Sequence, residues 1–149
     1  MALTGTASVE IDAPIQTVYA IAAEPGIAPK WQPEIKSADV VETNAAGEQT
    51  KVVMETDLKV KTIDVTMRFA YTPNSGLTWE QEKGALKSIK GRWEFEDLGG
   101  DRTKATVHME VDFGRTLGMV IRGPLVDVLR GQLVESMPTK LKTYVEAQG

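Results

Sequence analysis

The sequence has no cysteine, one histidine and only nine Phe, Trp and Tyr residues. Without cysteine the chain has no disulfide framework, no thiolate nucleophile and no cysteine-ligated metal. One histidine cannot build a multi-histidine metal site, and the acidic residues alternate along strands instead of converging. No glycine-rich loop opens a helix, which excludes the common phosphate-binding motifs. We therefore expect no metal and no cofactor.

A concentrated basic surface and long apolar runs are also missing. The formal net charge is −4 and the pI is about 5.1, which argues against nucleic acid as a partner. No apolar stretch approaches the ~20 residues of a membrane span, and the first residues lack the pattern of a signal peptide. We expect a cytoplasmic protein with no integral membrane association. The sequence carries no signal for a particular oligomeric state.

Apolar and polar residues alternate almost without a break from Gln49 to Phe113, and the stretch from Thr4 to Ile11 does the same. A period of two predicts strands with one buried and one solvated face. Glycine, asparagine and proline separate the segments and predict hairpins between consecutive strands. We predict seven strands, over residues 4–11, 35–43, 49–58, 61–72, 76–83, 86–97 and 102–113.

The alternation also assigns the two faces of the sheet. The inward set is Val52, Met54, Thr56 and Leu58, then Ile63, Val65, Met67, Phe69 and Tyr71, then Ala105, Val107, Met109, Val111 and Phe113. The outward set includes Thr66, Arg68 and His108. A slip of one residue would expose the whole apolar set, so the pattern fixes the register.

Helical patterns flank the strands. Asp12-Ala13-Pro14 predicts a helix start, with Asp12 as the cap and Pro14 in the first turn, and this helix continues to about Ala22. A second short helix is predicted over residues 27–31. Apolar residues at three- and four-residue spacings predict a long amphipathic helix over residues 117–147. Gly123-Pro124, Gly131 and Pro138 predict a bend or break within it.

The elements together predict one α+β domain covering residues 1–149. Its seven-stranded antiparallel sheet is curved and wraps around the long C-terminal helix, and two short helices follow the first strand. A curved sheet closed by one helix tends to leave a pocket between the two. The sequence therefore favours a container for a small molecule.

Several motifs resemble those of the START-like superfamily, which is also called SRPBCC. The resemblance is strongest to its polyketide cyclase/dehydrase type. The motifs are Val9-Glu-Ile-Asp-Ala-Pro14, Leu77-Thr-Trp-Glu80, Leu86-Lys-Ser88 and Gly91-Arg-Trp-Glu-Phe95. The resemblance implies a helix-grip fold with a hydrophobic cavity between sheet and helix. It also implies a family that includes lipid carriers, quinone binders, hormone receptors and aromatase/cyclases, and fold does not select among these.

Candidate ligand-binding residues follow from the inward faces. Aromatic rings suit a planar ligand, methionine suits an adaptable lining, and a few polar groups would orient a hydroxyl or carbonyl. Ordinary core packing is the alternative explanation for each. The candidates are Trp31, Met54, Thr56, Met67, Phe69, Tyr71, Trp79, Gln81, Trp93, Met109, Leu125, Val128, Leu129 and Gln132, with Tyr144 and the methionines at 119 and 137 as additional possibilities.

Two functions fit this pattern. The first is non-covalent binding of a small hydrophobic molecule that is lipid-like, a polyketide or otherwise cyclic. The alternative is a polyketide cyclase/dehydrase that works in the same cavity without a metal or a covalent nucleophile. His108 is the natural candidate for a general base, but both His108 and Arg68 fall on the outward face.

Overall fold

A computed structural model describes residues 2–148 of the chain. Its strands are β1 (Ala2–Ile11), β2 (Ile35–Thr43), β3 (Gln49–Asp57), β4 (Thr62–Thr72), β5 (Gly76–Gly84), β6 (Ser88–Gly99) and β7 (Arg102–Asp112). They form one antiparallel sheet in the order β1-β7-β6-β5-β4-β3-β2. The predicted α+β fold and its strands are confirmed, with ends that move by at most two residues.

The strand alternation places side chains as predicted. Every member of the inward set is buried except Tyr71 and Met109, which are half-buried. Thr66 alternates with the inward Val65 and Met67 and therefore points outward as predicted, but it is only 6% exposed instead of solvated. It pairs with Val53 and Lys83 on the neighbouring strands, and the register between β4 and β5 shifts next to it.

The first helix, α1 (Ile15–Ala22), forms as predicted, but Asp12 is not its cap. Pro14 occupies the position before the helix, and no side chain caps it. Asp12 instead donates its backbone N–H to Glu146 at 2.9 Å, and its carboxylate lies 3.6 Å from Arg102. The second predicted helix is a 3₁₀ turn, Pro25–Lys30, which is more tightly wound than an α-helix.

The C-terminal helix is broken into pieces. The structure shows α2 (Gly114–Gly118), α3 (Pro124–Arg130), a π-helical turn (Gly131–Glu135) and α4 (Met137–Gln148). Gly123 is the last residue before α3, and its φ of 61° is outside the helical region. The helix is therefore interrupted at Gly123-Pro124, as predicted. A second bend or break is predicted at Gly131, and the π turn begins at this residue. In the turn, Ser136 donates its N–H to the Gly131 carbonyl at 2.9 Å. Pro138 lies in the first turn of α4, where proline is tolerated.

The broken segment covers the concave face of the sheet. Leu129, Val134 and Leu141 are fully buried, and Met137 is nearly so. Val134 lies over β1, where Gly5 leaves space: a Cβ at Gly5 would lie 3.0 Å from Val134 Cγ1. Within residues 2–148, no helix is long and apolar enough to cross a membrane.

The outer face carries a cluster of charges around Glu82. Glu82 accepts from Arg68 and lies 2.9 Å from Lys51. Hydrogen bonds from Arg68, followed by those from Lys51, lower the pKa of Glu82 to about 2. Arg68 is thus outward, as the alternation predicts, and it is half exposed.

Replacing Leu141 by Ala tests how strongly α4 holds the sheet. Leu141 is fully buried, so we expect the free energy of unfolding to fall by about 2–5 kcal/mol. Urea denaturation measures this change. Thr143→Ala is the matched control on the exposed side of α4, with an expected change within about 0.5 kcal/mol. Equal losses in the two variants would show that α4 does not stabilise the sheet through Leu141.

Glu82→Gln tests the charge cluster through the pH dependence of stability. The folded pKa of Glu82 is lowered from 4.5 to about 2, so its contribution is complete above pH 4.5 and is lost as pH falls towards 2. We expect the wild-type Tm to fall more steeply than that of Glu82→Gln between these pH values. Glu96→Gln, at an exposed site on β6, should keep the wild-type slope. If the Tm of wild type and of Glu82→Gln changed with pH in parallel, the lowered pKa of Glu82 would not contribute to stability.

Candidate functional site

A cavity lies between the concave face of the sheet, the 3₁₀ turn and the broken C-terminal segment. Strands β3 to β7 supply most of its wall, and Leu133 and Met137 close it from the π turn and α4. The wall consists of Ala22, Pro25, Ala28, Trp31, Gln32, Glu34, Ile35, Met54, Thr56, Leu58, Ile63, Val65, Met67, Phe69, Leu77, Trp79, Leu86, Ile89, Trp93, Met109, Val111, Leu133 and Met137. Most of these side chains are apolar, so the cavity favours an apolar occupant.

The size of the cavity suits a small molecule. The space open to the centres of water molecules is about 90 Å³. Each centre stands for a sphere of ~1.4 Å radius, so the void offers at least roughly 300 Å³ of molecular volume. Ligand pockets begin at about this size. One or two fused rings fit within this volume.

All three tryptophans of the chain line the cavity. Trp31 and Trp93 lie with ring centroids 6.5 Å apart, and Phe69 and Trp79 lie 6.3 Å apart. Both pairs are tilted and do not stack, at 48° and 38°. Flat aromatic walls of this kind offer stacking and edge contacts to a ring-shaped ligand.

A glycine on β6 determines where the Trp79 indole lies. Gly91 pairs with Trp79 on β5 and with Met109 on β7. A Cβ at Gly91 would lie 2.3 Å from Trp79 Cε2 and Cζ2. The indole therefore rests directly on the backbone of Gly91, which only glycine permits.

The polar residues of the wall are concentrated at one place. Trp31, Gln32 and Glu34 lie on the stretch that follows the 3₁₀ turn, and Thr56 pairs with Ile35, which follows Glu34. The Trp31 indole N–H is buried and has no hydrogen-bond partner among the described residues. The Glu34 side chain is 3% exposed, and its Oε1 lies 3.0 Å from Lys140 Nζ on α4. The cavity thus has an apolar body and one polar end.

Residues 11–137 match the model of a family described as polyketide cyclase / dehydrase and lipid transport. The chain belongs to this family. The match spans most of the sequence, from the end of β1 to the first residue of α4. It confirms the START-like membership that the motifs indicate. No curated protein sequence matches this chain.

Solved structures share the fold of this polyketide cyclase/dehydrase family member. A START superfamily protein from Mycobacterium smegmatis is 21% identical, with a TM-score of 0.85 over 98% of this chain and 99% of that one. The Zhui aromatase/cyclase from Streptomyces sp. R1128 is 13% identical, with a TM-score of 0.82 over 99% and 96%. Ginseng major latex-like protein 151 from Panax ginseng is 14% identical, with a TM-score of 0.66 over 99% and 97%. These similarities confirm the helix-grip fold.

The structure brings eight of the candidate residues together on the cavity wall. They are Trp31, Met54, Thr56, Met67, Phe69, Trp79, Trp93 and Met109. Met137 joins them, whereas Met119 is 66% exposed. Their contact with a ligand remains a prediction.

Six candidates lie off the wall. Tyr71 donates its hydroxyl to the Gln49 carbonyl at 2.6 Å, and burial raises its pKa. Gln81 donates to the Leu86 carbonyl and Gln132 to the Asp57 carbonyl, both at 2.9 Å. These side chains are therefore engaged with nearby backbone.

The C-terminal candidates are displaced by the break in the helix. Val128 was expected to face inward but is 51% exposed, and Leu125 is half-buried. Leu129 is fully buried but packs outside the cavity wall. A continuous helix would have kept one phase throughout residues 117–147, whereas α3 starts anew after Gly123 and the π turn then changes the phase. Tyr144, on α4, is half-buried and also lies off the wall.

His108 lies on the outer face, as the alternation predicts. Thr6 Oγ1 lies 3.1 Å from its Nδ1, and Glu94 Oε1 lies 3.3 Å from its Nε2. It is absent from the cavity wall and cannot act as a base there.

The sequence analysis missed Glu34 and Leu133. Glu34 lies between Pro33 and β2, outside any strand alternation that would assign it a direction. Leu133 has helical spacing, but both it and the adjacent Val134 are buried because the π turn widens the helix. Neither position carries a local signal for a cavity wall.

Gly91→Ala tests the close approach of Trp79. The added Cβ forces the indole to move, so we expect a loss of about 1–3 kcal/mol in the free energy of unfolding and a shifted tryptophan emission. Urea denaturation followed by fluorescence measures both. In a Trp79→Leu background the same change should cost less, because the smaller side chain leaves room. An equal cost in both backgrounds would mean that Gly91 is needed for another reason.

Proposed function

We propose that this protein binds a small hydrophobic ring compound non-covalently in the cavity between the sheet and the C-terminal segment. The observation that carries the proposal is the wall itself, which is apolar and aromatic over most of its surface and polar at one end. Membership in a family whose description includes lipid transport supports it. Lipid-like, polyketide and other cyclic molecules are the classes that suit such a wall, and one or two rings fit within its volume.

The site offers less support for a cyclase or dehydrase. That chemistry needs polar groups that converge on a bound chain to polarise carbonyls and move protons. Here Arg68 lies on the outer face, and Tyr71 and Gln81 are bonded to backbone. Resemblance to an aromatase/cyclase structure at 13% identity concerns the fold. The positions of these three residues favour binding without turnover, and polar groups converge only at the end of the described wall around Glu34.

In this proposal the protein is a small intracellular ligand-binding protein. Residues 1–149 form one ligand-binding domain in this proposal, with no cofactor. The cytoplasm suits a chain that has no cysteine and forms no disulfides.

A pair of Met→Trp variants tests the proposal. Isothermal titration calorimetry with 1-methoxynaphthalene, menadione and decanoic acid should show binding of at least one ring compound to the wild type. Binding should also quench tryptophan fluorescence, because all three tryptophans line the cavity. Met54→Trp fills the cavity and should weaken binding at least about tenfold. Met119→Trp makes the same change at an exposed site and should stay within about twofold of wild type.

Two results would contradict the proposal. One is the absence of binding by every compound in the panel. The other is an affinity that falls equally in Met54→Trp and Met119→Trp, since that would place the ligand outside the cavity. Circular dichroism establishes that both variants are folded.

A further inference from the structure

Glu34 is the only ionisable residue on the described wall of the cavity. Its side chain is almost fully buried, at 3% exposure. A buried carboxylate is costly unless it is paired and hydrogen-bonded. The wall around it is apolar, so its presence calls for a physical explanation beyond packing.

Lys140 explains part of the arrangement. Its Nζ lies 3.0 Å from Glu34 Oε1 and 3.4 Å from Oε2, and it also donates to the Gln132 carbonyl at 3.1 Å. The ion pair therefore compensates the charge of Glu34 and ties α4 to the stretch before β2. The backbone of Glu34 is held as well, because Asp57 donates its N–H to the Glu34 carbonyl at 2.8 Å.

The carboxylate keeps unused acceptor capacity. Two carboxylate oxygens offer about four lone-pair sites. Among residues 2–148, the only hydrogen bonds to this carboxylate come from Lys140, and the one to Oε2 is long. A donor inside the cavity would complete the coordination of Glu34 without disturbing Lys140.

A second polar group on the same stretch also lacks a partner. The Trp31 indole N–H is buried and makes no hydrogen bond within residues 2–148. Leaving such a donor unpaired costs stability, and a small rotation of the indole towards a polar ligand group or a water would satisfy it. The stretch thus carries an acceptor on the cavity wall and a buried donor beside it, both incompletely satisfied.

We infer that the ligand carries a hydroxyl group, as in a phenol or an enol, whose O–H donates to the Glu34 carboxylate while its rings occupy the apolar body of the cavity. A hydrogen bond from a hydroxyl to a carboxylate is charge-assisted and stronger than a neutral one. The inference rests on the proposed function and adds a ligand class to it. Glu34 then acts as the specificity-determining residue, and Lys140 balances its charge.

Three ligands of similar shape separate this inference from simple hydrophobic binding. 1-Naphthol can donate, 1-methoxynaphthalene can only accept, and naphthalene does neither. Isothermal titration calorimetry on the wild type should show that 1-naphthol binds at least about tenfold more tightly than 1-methoxynaphthalene. Glu34→Gln removes the charge at nearly constant shape and should reduce this preference to about threefold or less, with little change for naphthalene.

Glu110→Gln is the matched control. It makes the same chemical change at an exposed site on β7, between two residues of the cavity wall. The preference for 1-naphthol should be unchanged in this variant. Unchanged binding of naphthalene to Glu34→Gln also shows that the cavity is intact.

Other outcomes overturn the inference in distinguishable ways. Equal binding of all three ligands to the wild type would reject the hydroxyl requirement and leave the container function standing. If Glu34→Gln still prefers 1-naphthol, Glu34 does not determine the specificity for the hydroxyl group. Failure of all three to bind would overturn the inference, and the container function would be rejected as well only if menadione and decanoic acid also fail to bind. Where Glu34→Gln does not fold, the side-chain ¹³C carboxyl resonance of Glu34 decides: it must shift with 1-naphthol and not with naphthalene.

Discussion

The apolar concave face of the sheet must be covered by the same chain, and the available cover cannot be a straight helix. Strands β3, β4 and β7 turn rows of mostly apolar residues towards one side, and burying them is the main source of stability. Gly123-Pro124 and the π turn divide the covering segment into pieces. Leu129 and Leu141 pack outside the cavity wall, whereas only Leu133 and Met137 of this segment contribute to it. The cavity is the part of the concave side that this interrupted cover encloses without filling.

Most ion pairs lie on the outer face of the sheet, and one lies at the cavity. Charges on the outer face pair with one another, as Arg68 and Lys51 do with Glu82. Among residues 2–148, no basic side chain lines the cavity, and Glu34 is the one acidic residue on its wall. Lys140 on α4 holds Glu34 in an ion pair. This ion pair links the cover to the stretch before β2. The same contact therefore contributes to closing the cavity and gives it a polar end.

The strands were predictable because their signal is local and redundant. Each inward residue of β3, β4 and β7 is supported by its neighbours two positions away, so a single apolar residue at an outward position, Val53, does not shift the register. Seven of the eight candidate residues on the cavity wall lie on strands and reach it for the same reason, whereas Trp31 follows the 3₁₀ turn. Tyr71 marks the limit of this reasoning: parity gives the face of a strand but not the position along it, and Tyr71 lies beyond the end of the cavity.

The cover was less predictable because helical spacing alone does not report a change of phase. Val128 has the spacing of a buried residue, yet the new start at Pro124 turns it outward. The position of Glu34 depends on contacts with Lys140 and Asp57, which are distant in sequence. Such contacts become visible only when the fold is known. Family membership supplies the architecture, while the polar end of the cavity is a property of these particular residues.

The methionine methyl groups offer the most direct test of the container claim. Met54, Met67, Met109 and Met137 line the cavity, whereas Met119 is exposed on the segment between α2 and α3. With ¹³C-labelled methionine methyl groups, NMR titration with 1-methoxynaphthalene should shift the four cavity resonances together and to saturation, because an aromatic ring among them changes their local magnetic field. The Met119 resonance should not move. A titration that shifts Met119 alone, or leaves all four cavity resonances unchanged at saturating ligand, would contradict the account.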